Sequence, residues 1–178
     1  MCVAPRMESL IRDFTCRRGV VSAIVEECIA QGVVLKTQIS YVIATVEHET
    51  RETFKPVIEA FWLPDPDSYL KKHHPEYYPY YGRGFVQLTW KKNYEKYGRL
   101  LGQDLLKSPE LALEPNSALF VLVHGFRTGA FTGRPINHYI DEIRTDFYNA
   151  RRCINGIDRA KDIEALAIKH LNDQTNWW

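Results

Sequence analysis

The sequence predicts a mostly helical α+β domain with a small sheet, and three observations carry that prediction. Apolar residues recur at three-to-four spacing over most of the first third of the chain and again beyond residue 91. From Lys55 to Trp90 that period is broken by Pro56, Pro64, Pro66, Pro75 and Pro79, interleaved with aromatics, Gly82 and Gly84, which favours extended or turning backbone. With 178 residues, 45% apolar and 25% charged, the chain can bury a core without disulfides or metal. A single domain over residues 1–178 is therefore expected.

Taken in order, helices are expected over residues 8–17, 21–30 before Gly32, and 38–53 with Thr37 as N-cap. A small sheet or hairpin belongs to the proline-rich and aromatic segment. Helices resume over residues 92–101 before Gly102, 109–113 with Ser108 as cap, and 116–127 before Gly129. Ala118 to Val123 is apolar all round, which puts that helix near the centre. Segments 135–143, 146–154 and 158–172 complete a chain with no internal repeat or low-complexity tract.

Several function classes are disfavoured at once. Lys+Arg 23 against Asp+Glu 22 gives a net charge of +1, and without a basic stripe nucleic acid has little to grip. The longest apolar run, Ala118 to Val123, is far short of the roughly 20 residues that span a bilayer, so no stable membrane association is expected. Arg6 and Glu8 stand where a signal peptide needs its apolar stretch, so the chain is expected to be made in the cytosol. Cys2, Cys16, Cys28 and Cys153 show no C-x-x-C spacing and read as reduced, mostly buried thiols. No HExxH motif occurs and His73-His74 are adjacent, so neither metal nor cofactor is expected.

Two carboxylates draw attention. Ile39, Val42, Val46 and Glu49 are spaced 3, 4 and 3, so Glu49 continues an apolar stripe. A carboxyl desolvated by aliphatic neighbours is suited to hold a proton as a general acid; the alternative is a helix end exposed to solvent. Ten residues on, Glu59 stands in the apolar and aromatic stretch Pro56-Val-Ile-Glu-Ala-Phe-Trp62. A continuous helix would hold the two about 15 Å apart, but Pro56 disfavours helical backbone at Lys55 and lets the chain fold back. Two carboxylates roughly 6.5–9.5 Å apart with water between them are the equipment of an inverting glycosidase. Glu59 on its own is equally a residue on the surface of an edge strand.

The segment Tyr80-Tyr-Gly-Arg-Gly-Phe-Val-Gln-Leu-Thr-Trp-Lys-Lys-Asn-Tyr94 is the most informative. Gln87 and Thr89, two apart on extended backbone, share a side, while Val86 and Leu88 face the core. With Asn93 they offer an amide, a hydroxyl and an amide to a polyhydroxylated ligand or a positioned water. The other reading is a glycine-tuned turn entering a half-buried strand.

His48-Glu49-Thr50, then Gly82-Arg-Gly-Phe-Val-Gln-Leu-Thr89 with Asn93-Tyr94, then Ala150-Arg-Arg-Cys-Ile-Asn-Gly156, in that order, resemble the family 19 glycoside hydrolases: chitinases and, in shorter forms, bacteriophage endolysins. The resemblance implies a lysozyme-like fold, with a cleft between a helical body and a small sheet, and single-displacement hydrolysis of β-1,4-linked N-acetylated aminosugars. It makes Glu49 the general acid and Thr89 a holder of the water. Gln87, Asn93 and Asn155 become substrate-contacting amides. Glu59 fits the second carboxylate of compact endolysins, whereas plant chitinases place theirs much further downstream. Chitinase-type members carry an Asp-Arg pair well after Ile-Asn-Gly; here Asp158-Arg159 follows almost at once.

The subtype implied is a monomeric endolysin of the muramidase type. It would wait in a host bacterium's cytoplasm until a separate membrane-permeabilising protein gives access to peptidoglycan. A chitinase on N-acetylglucosamine polymers and a non-catalytic wall-binding protein are the alternatives. Trp62, Tyr77, Tyr78, Tyr80, Tyr81 and Trp90 crowd beside the expected cleft, where Trp62 and Tyr81 are expected to touch sugar and the rest to pack. His48 is expected either near the cleft or exposed on its helix. Lys91-Lys92, Arg127 and Arg151-Arg152 read as solvated helix faces, and Trp177-Trp178 as either docked or free.

Overall fold

A computed structural model describes residues 12–177. Seven α-helices are present among them: α1 (Arg17–Ala30), α2 (Lys36–Glu49), α3 (Pro66–His73), α4 (Lys91–Leu101), α5 (Pro115–Thr128), α6 (Phe147–Ala150) and α7 (Ala160–Asn172). Two short strands, β1 (Val57–Ile58) and β2 (Arg83–Gly84), pair antiparallel with Val57 opposite Gly84 and Ile58 opposite Arg83. The fold is thus the expected lysozyme-like α+β type.

α2 is the central helix. Residues 38–47 are all buried, including Gln38, Ser40, Thr45 and Glu47. Each of these polar side chains has its partner: Gln38 donates to the Ile140 carbonyl at 2.8 Å, Ser40 to that of Thr37, and Thr45 to that of Tyr41. Glu47 accepts from Arg17 of α1 at 2.9 Å and bonds His170 of α7. Satisfied hydrogen bonds let a helix with mixed polarity lie in a core. α5, with its 118–123 run, packs beside it and is largely buried as expected. Trp177 closes this core at 3% exposure, and its carbonyl accepts from Ser22. A second cluster, Leu88, Tyr94, Tyr97, Leu105, Ala112 and Val121, supports the small sheet.

Several boundaries differ from expectation for local reasons. α2 ends at Glu49, not at 53, because Arg51, Glu52 and Phe54 take positive φ. Thr50 marks the exit: its hydroxyl donates to the Val46 carbonyl at 2.7 Å and accepts from the Phe54 amide at 3.0 Å. Thr37 lies inside α2 and Ser108 makes no side-chain cap. Asp65 caps α3, with Pro66 in its first turn, inside the segment expected to be extended. The strands are therefore not a tight hairpin, since α3 lies between them.

Segment 109–113 is a 3-10 turn, as is Ile136–His138 within 135–143. Segment 146–154 splits into α6 and the 3-10 turn Arg151–Cys153. α7 starts at Ala160 because Arg159 is left-handed at φ 57°. Of the helix expected over 8–17, residues 8–11 lie outside the described residues and 12–16 are not helical. Cys2 and Trp178 also lie outside them. Cys28 and Cys153 are buried, whereas Cys16 is exposed as the N-cap of α1.

Candidate active site

Glu49, the last residue of α2, and Glu59, the first residue after β1, line one cleft of about 580 Å³. The chain turns back between them as expected, but at Thr50 to Phe54, ahead of Pro56, the residue expected to break the helix. A second lobe of about 310 Å³ is lined by Glu49, Gln87, Thr89, Trp90, Asn93 and Asn155. Glu49 and Gln87 line both lobes and so mark their junction.

The two carboxylates are held differently. Glu49 does not sit among aliphatic side chains alone: its Oε1 lies 2.6 Å from Nη1 of Arg151, with side-chain exposures of 18% and 5%. Arg151 also donates from Nε to the Asp158 carbonyl, which fixes the guanidinium. The expectation that Arg151 is a solvated helix face is therefore wrong. It follows a helix of only four residues, where no periodicity distinguishes an inward position, and its partner is 102 residues away. Glu59 instead accepts two neutral donors, the Tyr77 hydroxyl at 2.8 Å on Oε1 and the Gly82 amide at 3.0 Å on Oε2. Burial, and then the bond to Glu59, push the Tyr77 hydroxyl's pKa up, so it remains a donor. The Tyr77 ring stacks on His74 at 5.2 Å and meets the edge of Trp90 at 5.3 Å. Sequence reasoning placed Tyr77 in the wall, with no signal for its carboxylate partner.

Glu59 is placed by the sheet, its amide donating to the Gly82 carbonyl at 2.7 Å. A Cβ on Gly82 would lie 2.7 Å from Oε1 of Gln87, so glycine lets that amide side chain close over the strand. Gln87 donates to the Val57 and Gly84 carbonyls at 3.3 and 3.4 Å, bracing β1 against the 83–88 turn. Val86 and Leu88 are buried while Gln87 and Thr89 face the groove, but not by alternation on an extended strand: residues 85–87 form a turn closed by the Arg83–Leu88 bridge, Gln87 is left-handed at φ 57°, and Phe85 beside Val86 is buried too. Thr89 donates to the Gln87 carbonyl at 2.8 Å, leaving its oxygen to accept. Asn93 donates from Nδ2 to the Thr89 carbonyl, leaving Oδ1 to accept. Asn155 accepts from the Gly156 amide, leaving its NH₂ to donate. Thr89 lines only the second lobe and Glu59 only the first.

Trp62 is 55% exposed on the cleft wall, but one ring face carries the Arg51 guanidinium at 3.8 Å. Tyr81 is not in the cleft. At 6% exposure it lies against the buried Arg83 at 3.8 Å and donates to Asp67. Arg83 in turn donates to the carbonyls of Pro79 and Tyr81 and to the Tyr94 hydroxyl, pinning the segment behind the groove. His48 lines the cleft with its pKa lowered, chiefly by burial. Arg159 lines it too, paired with Asp162 at 2.9 Å.

Of the non-glycine residues with positive φ among those described, Arg51, Glu52, Ala60, Gln87 and Arg159 line the first lobe and Trp90 the second. Strained backbone gathered around one groove is the mark of a functional site. Among the described residues no group of three or more His, Cys, Asp or Glu is arranged to hold a metal ion, and no helix is long and apolar enough to cross a membrane.

Comparison with known proteins agrees with this architecture. The profile of the chitinase class I family, glycoside hydrolase family 19, matches residues 65–141. An Arabidopsis thaliana endochitinase is 28% identical over 160 residues, covering 73% of this chain and 56% of its own length. A second endochitinase of that plant is 34% identical over 94 residues, covering 53% of this chain and 32% of its own. The chain thus spans about half or less of these relatives. A bacterial family 19 chitinase superposes with a TM-score of 0.57 at 22% identity, covering 88% of each chain. Chitinase C from Streptomyces griseus superposes with 0.59 at 21% identity, covering 93% of this chain and 71% of its own.

Proposed function

We propose that this chain, whose residues 65–141 match the family 19 glycoside hydrolases, is a member of that family and cleaves β-1,4 bonds between N-acetylated aminosugars by single displacement. The observation that carries the reading is the pair Glu49 and Glu59 on one cleft, one delivered by the end of α2 and the other by the end of β1. Glu49 protonates the leaving glycosidic oxygen, and Arg151 stabilises the carboxylate left behind. Glu59 takes a proton from a water that attacks the opposite face of the sugar, with Tyr77 and Gly82 holding its carboxylate in place. Thr89 lines the adjoining lobe rather than the one that Glu59 lines, so it joins Gln87, Asn93 and Asn155 in binding sugar hydroxyls and acetamido groups along the groove instead of sharing the water of Glu59. Direct attack inverts the anomeric carbon.

The polymer we propose is bacterial peptidoglycan, cleaved as by an endolysin of the muramidase type. Such an enzyme acts after release from the host cytoplasm by a separate membrane-permeabilising protein. The ten-residue spacing of Glu49 and Glu59, which resembles compact endolysins, supports this substrate. Chitin is the alternative, supported by the names of the relatives. Clearing of permeabilised bacterial cells tests the activity, and mass spectrometry of the digest tests the bond. A new N-acetylmuramic acid reducing end supports a muramidase, while an N-acetylglucosamine end or an anhydro product overturns that assignment. NMR of the first-formed reducing end on a soluble oligosaccharide must show inversion; retention removes Glu59 as base.

A further inference from the structure

The cations on the cleft are not equivalent. Arg151 is committed to Glu49 and Arg159 to Asp162, whereas Arg51 has no carboxylate partner among the described residues. Its guanidinium carbon lies over Trp62, 3.8 Å from the ring centroid, with the Phe61 ring centroid 5.8 Å away. Its backbone is held left-handed at φ 48°, directly after the turn by which α2 delivers Glu49 to the cleft. A guanidinium held over an aromatic face uses the face for contact and keeps its N–H donors, which lie in its own plane, free for a bidentate bond to a carboxylate. Neutral sugars offer no carboxylate; a peptidoglycan strand bears them on the peptides attached to its lactyl groups.

We propose that Arg51, held on Trp62, is a specificity-determining residue that pairs with a carboxylate of the substrate's peptide and so favours peptidoglycan over neutral glycans. This rests on the hydrolase reading above. The chain's net charge of +1 gives little overall attraction for an anionic polymer, so the discrimination is local. The Trp62 face that carries Arg51 is correspondingly not a bare sugar platform.

The test compares two preparations of one wall, untreated and with its carboxylates converted to amides, for the wild type, Arg51→Gln and Arg51→Lys. The wild type should lose about tenfold in kcat/KM on the amidated wall, the scale of one charge-assisted pair. Arg51→Gln should lose about the same on the untreated wall and little more on the amidated one. Arg51→Lys, which keeps charge but not the planar fork, should fall between. Wild-type activity of Arg51→Gln on amidated wall also certifies its fold. Equal wild-type rates on both walls, or equal losses by Arg51→Gln on both, would sink the role of Arg51 while leaving hydrolysis intact. If the wild type digested neither wall, the peptidoglycan reading would fall and this inference with it.

Discussion

The two sides of the cleft hold their carboxylates by opposite means. On the helical body, Glu49 is paired with a buried cation 102 residues away, at the corner between α6 and α7. On the small lobe, Glu59 is held by two neutral donors 18 and 23 residues away, Tyr77 and Gly82. One carboxylate is thus tied to the tertiary packing of the whole body and the other to a local loop network. Damage to the first arrangement should appear in stability and activity together, and damage to the second in activity alone.

The largest effect should come from Glu49→Gln, which keeps shape but has no proton to give: a loss of about 10²–10⁴ in rate, with stability lowered by about 2 kcal/mol because the buried Arg151 loses its ionic partner. Activity within threefold of wild type in the folded variant would remove Glu49 from the mechanism.

Behind it, Glu47→Gln probes the body itself. Glu47 faces Arg17, Lys169 and His170, and its carboxyl is held below the usual value of 4.5, mainly by the hydrogen bond from His170 against the opposing effect of burial. A depressed folded value adds stability that is complete above pH 4.5 and is lost as pH falls through the folded value. Glu47→Gln should cost about 3 kcal/mol near neutral pH in urea unfolding, and the gap from wild type should narrow below pH 4.5. A gap that widened on acidification would reverse the assignment.

Arg151→Gln should be milder in stability, about 2 kcal/mol, because Glu49 is partly solvated, yet it should also slow catalysis. A variant slower than wild type but equally stable would show that Glu49 is not tied to the body through this pair.

The smallest effect should be that of Tyr77→Phe, about tenfold in kcat with KM within twofold and stability unchanged. Because Tyr77 acts through Glu59, adding Tyr77→Phe to Glu59→Gln should cost nothing more. Additive losses would place Tyr77 on the substrate rather than on the base.

Local patterning made a good part of this molecule legible from its sequence. The apolar period and the Gly102 and Gly129 stops mark α4 and α5 closely, whereas the sides taken by Val86, Gln87, Leu88 and Thr89 match the expectation through a turn with left-handed Gln87 and not through strand alternation. The 3-4-3 spacing puts Glu49 on a stripe that leads to the cleft, whereas the helix ends before Pro56 could break it, at Thr50 and the left-handed Arg51 and Glu52. These are properties of short segments, in which backbone preference and side-chain direction are settled within a few residues. Only tertiary packing decided the rest. It brought Arg151 onto Glu49, buried Glu47 against α1 and α7, drew Trp177 into the core, and hid Tyr81 behind Arg83. Whether a charged or aromatic side chain meets water, substrate or a partner depends on surfaces that distant segments contribute when they pack, and no local period encodes that.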